Sequence, residues 1–141
     1  MLGEVSEREV ILTKGGSVLK GISCSTGELS AFGEIYFSTV EVGNCKGWKR
    51  HQRMTLNLLC VSGMVEVKVV ADPNNLDDAL SIARYELGRP HSYKLLTVPP
   101  GVWVAFKNIG KCEAVLCNIA DLEHDPEEVD LISFDLVTYG S

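Results

Sequence analysis

Between residues 55 and 70 the chain carries a pattern suited to a β fold with a buried interior. The apolar run Leu56, Leu58, Leu59 and Val61 meets Ser62-Gly63, after which Val65, Val67 and Val69 alternate strictly with Glu66 and Lys68. A period of two places the valines on one side of a strand and the charged residues on the other. Ser62-Gly63 reads as the turn of a hairpin, since glycine adopts backbone angles denied to other residues. One face of this hairpin is expected to be buried and the other wet.

The rhythm recurs along the chain. After the turn-rich Ala71-Asp72-Pro73-Asn74-Asn75, residues 93–98 read as a strand, Pro99-Pro100-Gly101 as a turn, and residues 102–106 as a strand with Val102, Val104 and Phe106 on one side. Asn108-Ile109-Gly110-Lys111 turns the chain again before a strand over 114–120, and 131–134 reads as a short late one. Over 76–87, Leu76, Ala79, Leu80 and Ala83 fit helical spacing whereas Ile82, Tyr85 and Leu87 fit a strand; the reading adopted is a strand over 81–87, ending near Gly88-Arg89-Pro90. Upstream, 10–13, 18–22 and 35–42 read as strands between Gly-rich turns. Many short strands with turns about every ten residues indicate a sandwich or closed barrel. Closure removes exposed edges and leaves an interior where side chains from several strands converge.

At 141 residues the chain is expected to form one domain, 1–141, because a core of that size folds without staples. Its net charge of -6 argues against gripping nucleic acid, which selects a basic face. Lysines and arginines are scattered except for Lys46, Lys49, Arg50 and Arg53, a cluster suited to a small anionic ligand. Residues 1–13 carry Glu4, Glu7, Arg8 and Glu9 where a secretory signal would be apolar, and no run approaches bilayer-spanning length. The expectation is therefore no membrane partner and a cytoplasmic protein. Five cysteines form an odd set without a Cys-x-x-Cys pair, so neither a full disulfide framework nor a structural zinc site is indicated. Cys60 and Cys117, inside apolar strands, are expected to be reduced core residues.

Three segments carry a resemblance. The first is Lys46-Gly47-Trp48-Lys49-Arg50-His51, leading to Val61-Ser62-Gly63. The second is Tyr85-Glu86-Leu87 followed by Tyr93-Lys94-Leu95-Leu96-Thr97-Val98-Pro99-Pro100-Gly101-Val102-Trp103-Val104-Ala105-Phe106. The third is Asp125-Pro126-Glu127-Glu128 with Leu131-Ile132-Ser133-Phe134-Asp135. In order and spacing they resemble the nucleotide-sugar 3,5-epimerases of the dTDP-4-dehydrorhamnose type, a branch of the cupin superfamily, over about the last two-thirds of the chain. The resemblance implies an all-β cupin or jelly-roll fold, a double-stranded β-helix barrel. It implies a nucleotide-linked sugar as small-molecule partner, no cofactor, and a homodimer, for which strands around Ile11 and Leu19 are available for exchange.

Departures accompany the matches. The family's catalytic tyrosine, shortly before the Asp-Pro-Glu loop, falls here at Asn118 or Ile119, and the lysine after its catalytic histidine falls near Leu56 or Asn57. The histidine of its Ala-His-Gly-Phe segment is replaced by Val104. Related 3,4-ketoisomerases place a His-x-His pair before the same glycine turn; aligned on Gly63, His51 matches the second and Lys49 stands at the first.

Epimerising or isomerising a 4-keto sugar requires removal of a proton beside a carbonyl, hence a base that titrates near neutral pH and a group that stabilises the enolate. By resemblance His51 is that base and Asp135 the carboxylate that fixes its tautomer and pairs with its charged form; the plainer reading is a surface histidine among basic neighbours. Lys49, Arg50 and Arg53 suit a pyrophosphate or an enolate oxygen, or form a solvated basic turn. Strand alternation puts Lys49, His51 and Arg53 on one side and Trp48 and Arg50 on the other, so one set faces a pocket. Trp48 and Trp103 are either stacking surfaces for a base or sugar ring, or core fillers. Asn57 and Asn118, amides within apolar strands, either line the pocket or are satisfied structurally. His91 and His124 read as solvated, and Glu127, Glu128 and Asp130 as a solvated acidic loop. A metal site is disfavoured, because the first cupin motif holds only His51 and the second none.

The preferred reading is a sugar-nucleotide epimerase or isomerase acting by proton abstraction on an NDP-4-keto-6-deoxyhexose; the alternative is a catalytically silent cupin that binds sugar nucleotides or carbohydrate. A metal-dependent oxygenase finds too few ligands. Full 3,5-epimerisation needs an acid on the opposite sugar face, so the missing tyrosine matters. A single-centre epimerase, a ketoisomerase with one base, or reprotonation by water tolerates its loss.

Overall fold

A computed structural model describes residues 2–74 and 82–132. Among the described residues the strands are β1 (Glu4–Glu7), β2 (Val10–Thr13), β3 (Gly16–Leu19), β4 (Glu34–Val40), β5 (Cys45–His51), β6 (Leu56–Ser62), β7 (Met64–Val70), β8 (Ile82–Gly88), β9 (Lys94–Val98), β10 (Trp103–Asn108), β11 (Ala114–Ala120) and β12 (Val129–Leu131), with a 3-10 turn at Pro126–Glu128. β8 shows the strand reading for 82–87, while 76–81 lie outside the described residues. β12 ends at Leu131, where the sequence placed the start of a late strand.

Two five-stranded antiparallel sheets form, in the orders β1-β9-β6-β11-β4 and β12-β5-β10-β7-β8, with β2 and β3 paired separately. They face each other as a jelly-roll sandwich. Residues 55–70, read from sequence as a hairpin, are instead an arch: β6 pairs with β9 and β11, whereas β7 pairs with β8 and β10. Leu56, Leu58 and Cys60 therefore confront Val65, Val67 and Val69 within one core cluster rather than lying beside them in one sheet. Both arrangements need the same alternation, so periodicity cannot separate them. At the crossing, Gly63 has φ +74° and a Cβ there would approach Ala114 Cα to 2.9 Å.

The core between the sheets also takes Val40, Leu96, Leu116 and Val104. Burial of each such side chain contributes about 1.5–3 kcal/mol. Outside the first sheet, Leu59, Tyr93, Leu95 and Cys117 are covered by Val10, Leu19 and Ile22. Outside the second, Trp48, Val70, Trp103 and Ala105 form their own buried cluster. Lys68, expected on a wet face, is only 1% exposed on that side, and burial together with Arg84 pulls its ammonium pKa down.

Candidate active site

β5 sets the first wall of the site. Opposite it, Val104 pairs with Lys49 but Phe106 with Lys46, so three residues of β5 span two of β10. Plain alternation would point Lys46 and Lys49 to opposite sides; the bulge absorbs one residue, and both line the cavity with His51. Gly47 makes the bulge possible: its φ is +142°, and a Cβ would come within 2.6 Å of the Ala105 Cβ.

His51 ends β5 and is 8% exposed. Its carbonyl accepts from Gly101 N–H at 2.7 Å, so the Pro99-Pro100-Gly101 turn pins its backbone. Its Nδ1 lies 2.9 Å from Glu128 Oε2, while Glu128 Oε1 accepts from the backbone N–H groups of Arg53 and Met54, each at 2.7 Å. Glu128 ends the 3-10 turn capped by Asp125, whose carboxylate accepts from Glu127 N–H at 3.0 Å. Burial pushes the Glu128 carboxyl pKa up, but hydrogen bonds from His51, Met54 and Arg53 outweigh it and hold the group below its ordinary value. An ionised carboxylate at Nδ1 takes that nitrogen's proton as a hydrogen bond and leaves Nε2 with a free lone pair.

Glu128, expected in a solvated loop, is thus 4% exposed and is the carboxylate that the described residues set on His51. Asp135 lies outside the described residues. Asp130 also has a partner: it accepts from Arg50 Nε and Nη2 at 3.0 and 2.9 Å.

Between the sheets lies a cavity of about 780 Å³. Lys49, His51 and Asn118 line it; Trp48, Arg50, Arg53, Asn57 and Trp103 are not among its lining residues. Trp48 and Trp103 fall on the far face of their sheet because they alternate with cavity-facing neighbours, and the Arg50 guanidinium sits 4.8 Å from the Trp103 ring centroid. Arg53 lies beyond the end of β5, so strand alternation does not govern it, and its guanidinium reaches Asp125 at 3.4 Å. Asn57 is turned away from the cavity: its Nδ2 donates to Ile119 O at 3.3 Å and its Oδ1 accepts from Thr97 Oγ1 at 2.8 Å.

The second wall comes from β4 and β11, and sequence reasoning missed much of it. Glu34, Tyr36 and Ser38 face the cavity while Ile35 and Phe37 face outward. The signal was the alternation of polar and apolar residues along β4, with the polar half turned in. Tyr36 Oη accepts from Asn118 Nδ2 at 2.5 Å. Burial raises the Tyr36 phenol pKa, the Asn118 hydrogen bond opposes this, and the charges of Glu34 and Glu128 add to the rise. His124, read as solvated, is exposed and also borders the cavity, where its backbone N–H donates to Glu34 Oε1 at 2.9 Å. Among the described residues no group of three or more His, Cys, Asp or Glu is placed to hold a metal ion.

Comparison with protein-family models and with curated proteins yields no match. Among solved structures, the chain is similar to a dTDP sugar isomerase from Desulfovibrio desulfuricans G20, with 33% identity over 99% of this chain and 88% of that one, at a TM-score of 0.86. A variant of the 3,4-ketoisomerase from Thermoanaerobacterium thermosaccharolyticum, in complex with TDP-4-keto-6-deoxyglucose, matches at 19% identity over 92% of this chain and 86% of that one, TM-score 0.70. A dTDP-6-deoxy-D-glucose-3,5-epimerase from Legionella pneumophila Philadelphia 1, in complex with dTDP-4-keto-L-rhamnose, matches at 15% identity over 92% and 72%, TM-score 0.75. The last two share the fold.

Proposed function

The chain belongs to the dTDP-sugar isomerase family, and from that premise we propose that it isomerises a nucleoside-diphosphate-linked 4-keto-6-deoxyhexose by removing the proton on the carbon beside the keto group. The observation that carries this reading is the His51–Glu128 pair, 2.9 Å apart and facing a cavity between two sheets. His51 Nε2 takes the proton, the C–H electron pair becomes the C=C bond of an enolate, and the carbonyl π pair moves to oxygen. Glu128 keeps the proton on Nδ1 beforehand and neutralises the imidazolium afterwards. Lys46 and Lys49, brought to one side by the bulge, supply positive charge for the diphosphate or the enolate oxygen.

The test is proton exchange. TDP-4-keto-6-deoxyglucose incubated with the protein in deuterium oxide should take up deuterium beside the keto group, and His51→Ala should abolish uptake. Saturable dTDP binding by the unaltered protein with no exchange and no product would return the silent binder.

We also propose that two copies pair. Turning its polar half inward leaves β4 with Ile35 and Phe37 at 49% and 65% exposure, on the side of the sheet where the β2–β3 pair exposes Leu12 and Val18 at 82% and 47%. Apolar area of this kind suits a self-complementary contact. Light scattering should give twice the chain mass, and Phe37→Glu should halve it; a monomer at tens of micromolar would end this reading. No helix among the described residues is long and apolar enough to cross a membrane, and we place the reaction in the cytoplasm.

A further inference from the structure

Where the proton returns decides the product. A carbanion reprotonated at the same carbon by the group that made it gives back the starting sugar, whereas inversion there requires a donor on the other side of the ring. A sugar ring in this cavity would lie between two walls, since His51 stands on β5 in one sheet and Tyr36 on β4 in the other.

We propose that Tyr36 is the catalytic acid facing His51 and that Asn118 is its positioning residue. The assignment rests on the reading of His51 as base.

The hydrogen-bond chain behind Tyr36 carries the argument. Asn118 Oδ1 accepts from the backbone N–H of Asn57 at 3.2 Å, which commits the amide's NH₂ to Tyr36 Oη at 2.5 Å. Asn57 is itself held by Ile119 O and Thr97 Oγ1. Flipping the Asn118 amide would set its NH₂ against the Asn57 N–H, two donors facing each other, so its orientation is determined by that backbone bond. The phenol oxygen therefore accepts from Asn118 and keeps its own O–H for the cavity. The same amide stabilises the phenolate left when that proton departs.

Strand register accounts for the position. Asn118 and Tyr36 are paired across β11 and β4. Residue 118 is one of the two places where the sequence resemblance expects a tyrosine, and a side chain directly opposite starts only about 5 Å away. The phenol thus reaches the same part of the cavity from the neighbouring strand. A phenol is protonated at neutral pH, the state an acid must start from, and burial and the nearby carboxylates raise its pKa further.

The step balances without a co-reactant. His51 Nε2 removes the proton and the enolate forms as above. Its carbon then takes the phenol proton from the opposite side, C=O is restored, and the O–H electron pair stays on the Tyr36 oxygen. The carbon is inverted, and imidazolium and phenolate reset by exchange with solvent.

Magnetic resonance of TDP-4-keto-6-deoxyglucose in deuterium oxide tests this with unaltered protein, His51→Ala, Tyr36→Phe and Asn118→Leu. The unaltered protein should give deuterated epimer. Tyr36→Phe, which removes one oxygen, should still wash deuterium into the substrate with its configuration retained, while epimer formation falls about 100-fold or more. Asn118→Leu, a second variant should the first not fold, should slow epimer formation roughly tenfold relative to exchange. Epimer formed by Tyr36→Phe at close to the unaltered rate, a keto shift without inversion in the unaltered protein, or a folded Tyr36→Phe that loses exchange together with product would each overturn the acid assignment alone. Absence of exchange in the unaltered protein would overturn the base, and the acid with it.

Discussion

Glu128 binds His51 with one oxygen and the backbone that follows it with the other. Oε2 lies 2.9 Å from Nδ1, and Oε1 accepts from the N–H groups of Arg53 and Met54 at 2.7 Å each. The carboxylate therefore fixes the tautomer of the ring and closes the end of β5 at once. A loop that sequence alone reads as solvated acid becomes the support of His51.

The first prediction separates these two tasks. In Glu128→Gln the amide oxygen can still accept from Arg53 and Met54, but an NH₂ would then face Nδ1 and force the imidazole proton onto Nε2. Deuterium exchange into substrate should fall by about 10³–10⁴-fold, the scale of a wrong tautomer in a hydrolase triad, while the folded fraction stays high. Exchange within tenfold of the unaltered rate would show that Glu128 does not set the tautomer.

Acid should weaken the fold through the same residue. Its carboxyl has a folded-state pKa below its ordinary value of 4.5, so the folded protein holds fewer protons than the unfolded chain in that range. The resulting stability is fully present above about 4.5 and is lost as pH falls through the lower, folded-state value. Melting temperatures from pH 7 to pH 3 should drop more steeply for the unaltered protein than for Glu128→Gln. Parallel curves would contradict it.

Lys46 and Lys49 should act on the ligand rather than on the fold, since both are exposed and border the cavity. Lys46→Met and Lys49→Met should each weaken dTDP binding by roughly three- to tenfold at low salt, with the difference shrinking as ionic strength rises. Calorimetric titration at two salt concentrations checks this; equal affinities at low salt would remove the lysines from the binding site.

Gly47→Ala should damage both. At φ +142°, with Ala105 Cα 2.7 Å and Val104 O 2.9 Å from the new Cβ, the bulge cannot accept a side chain unless β5 moves off β10. A loss of about 2 kcal/mol or more is expected, with weaker dTDP binding because Lys46 would leave the cavity side. A melting temperature within a degree of the unaltered protein would mean that the bulge relaxes freely.

Residues 55–70 show how far sequence reasoning reaches. Both strands and the Ser62-Gly63 break were legible, because alternation and glycine are local signals. Their partners were not, since facing residues in an arch and adjacent residues in a hairpin obey the same period. His51 stood out by its chemistry and its motif. Tyr36 did not, because which half of an alternating strand turns inward is decided by what it meets there, and here the polar half meets a cavity.

The chain's own order of residues determined the all-β character, most strand positions, the Pro99-Pro100-Gly101 turn and the histidine proposed as the base. Tertiary structure alone decided that Glu128 reaches that histidine, that a bulge turns Lys46 and Lys49 to one side, and that Tyr36 meets Asn118 across two strands. Local periodicity says which residues share a face. Contacts between segments 77 and 82 positions apart, as between His51 and Glu128 or Tyr36 and Asn118, form only when the sheets close, and their energies are written in no single stretch of sequence.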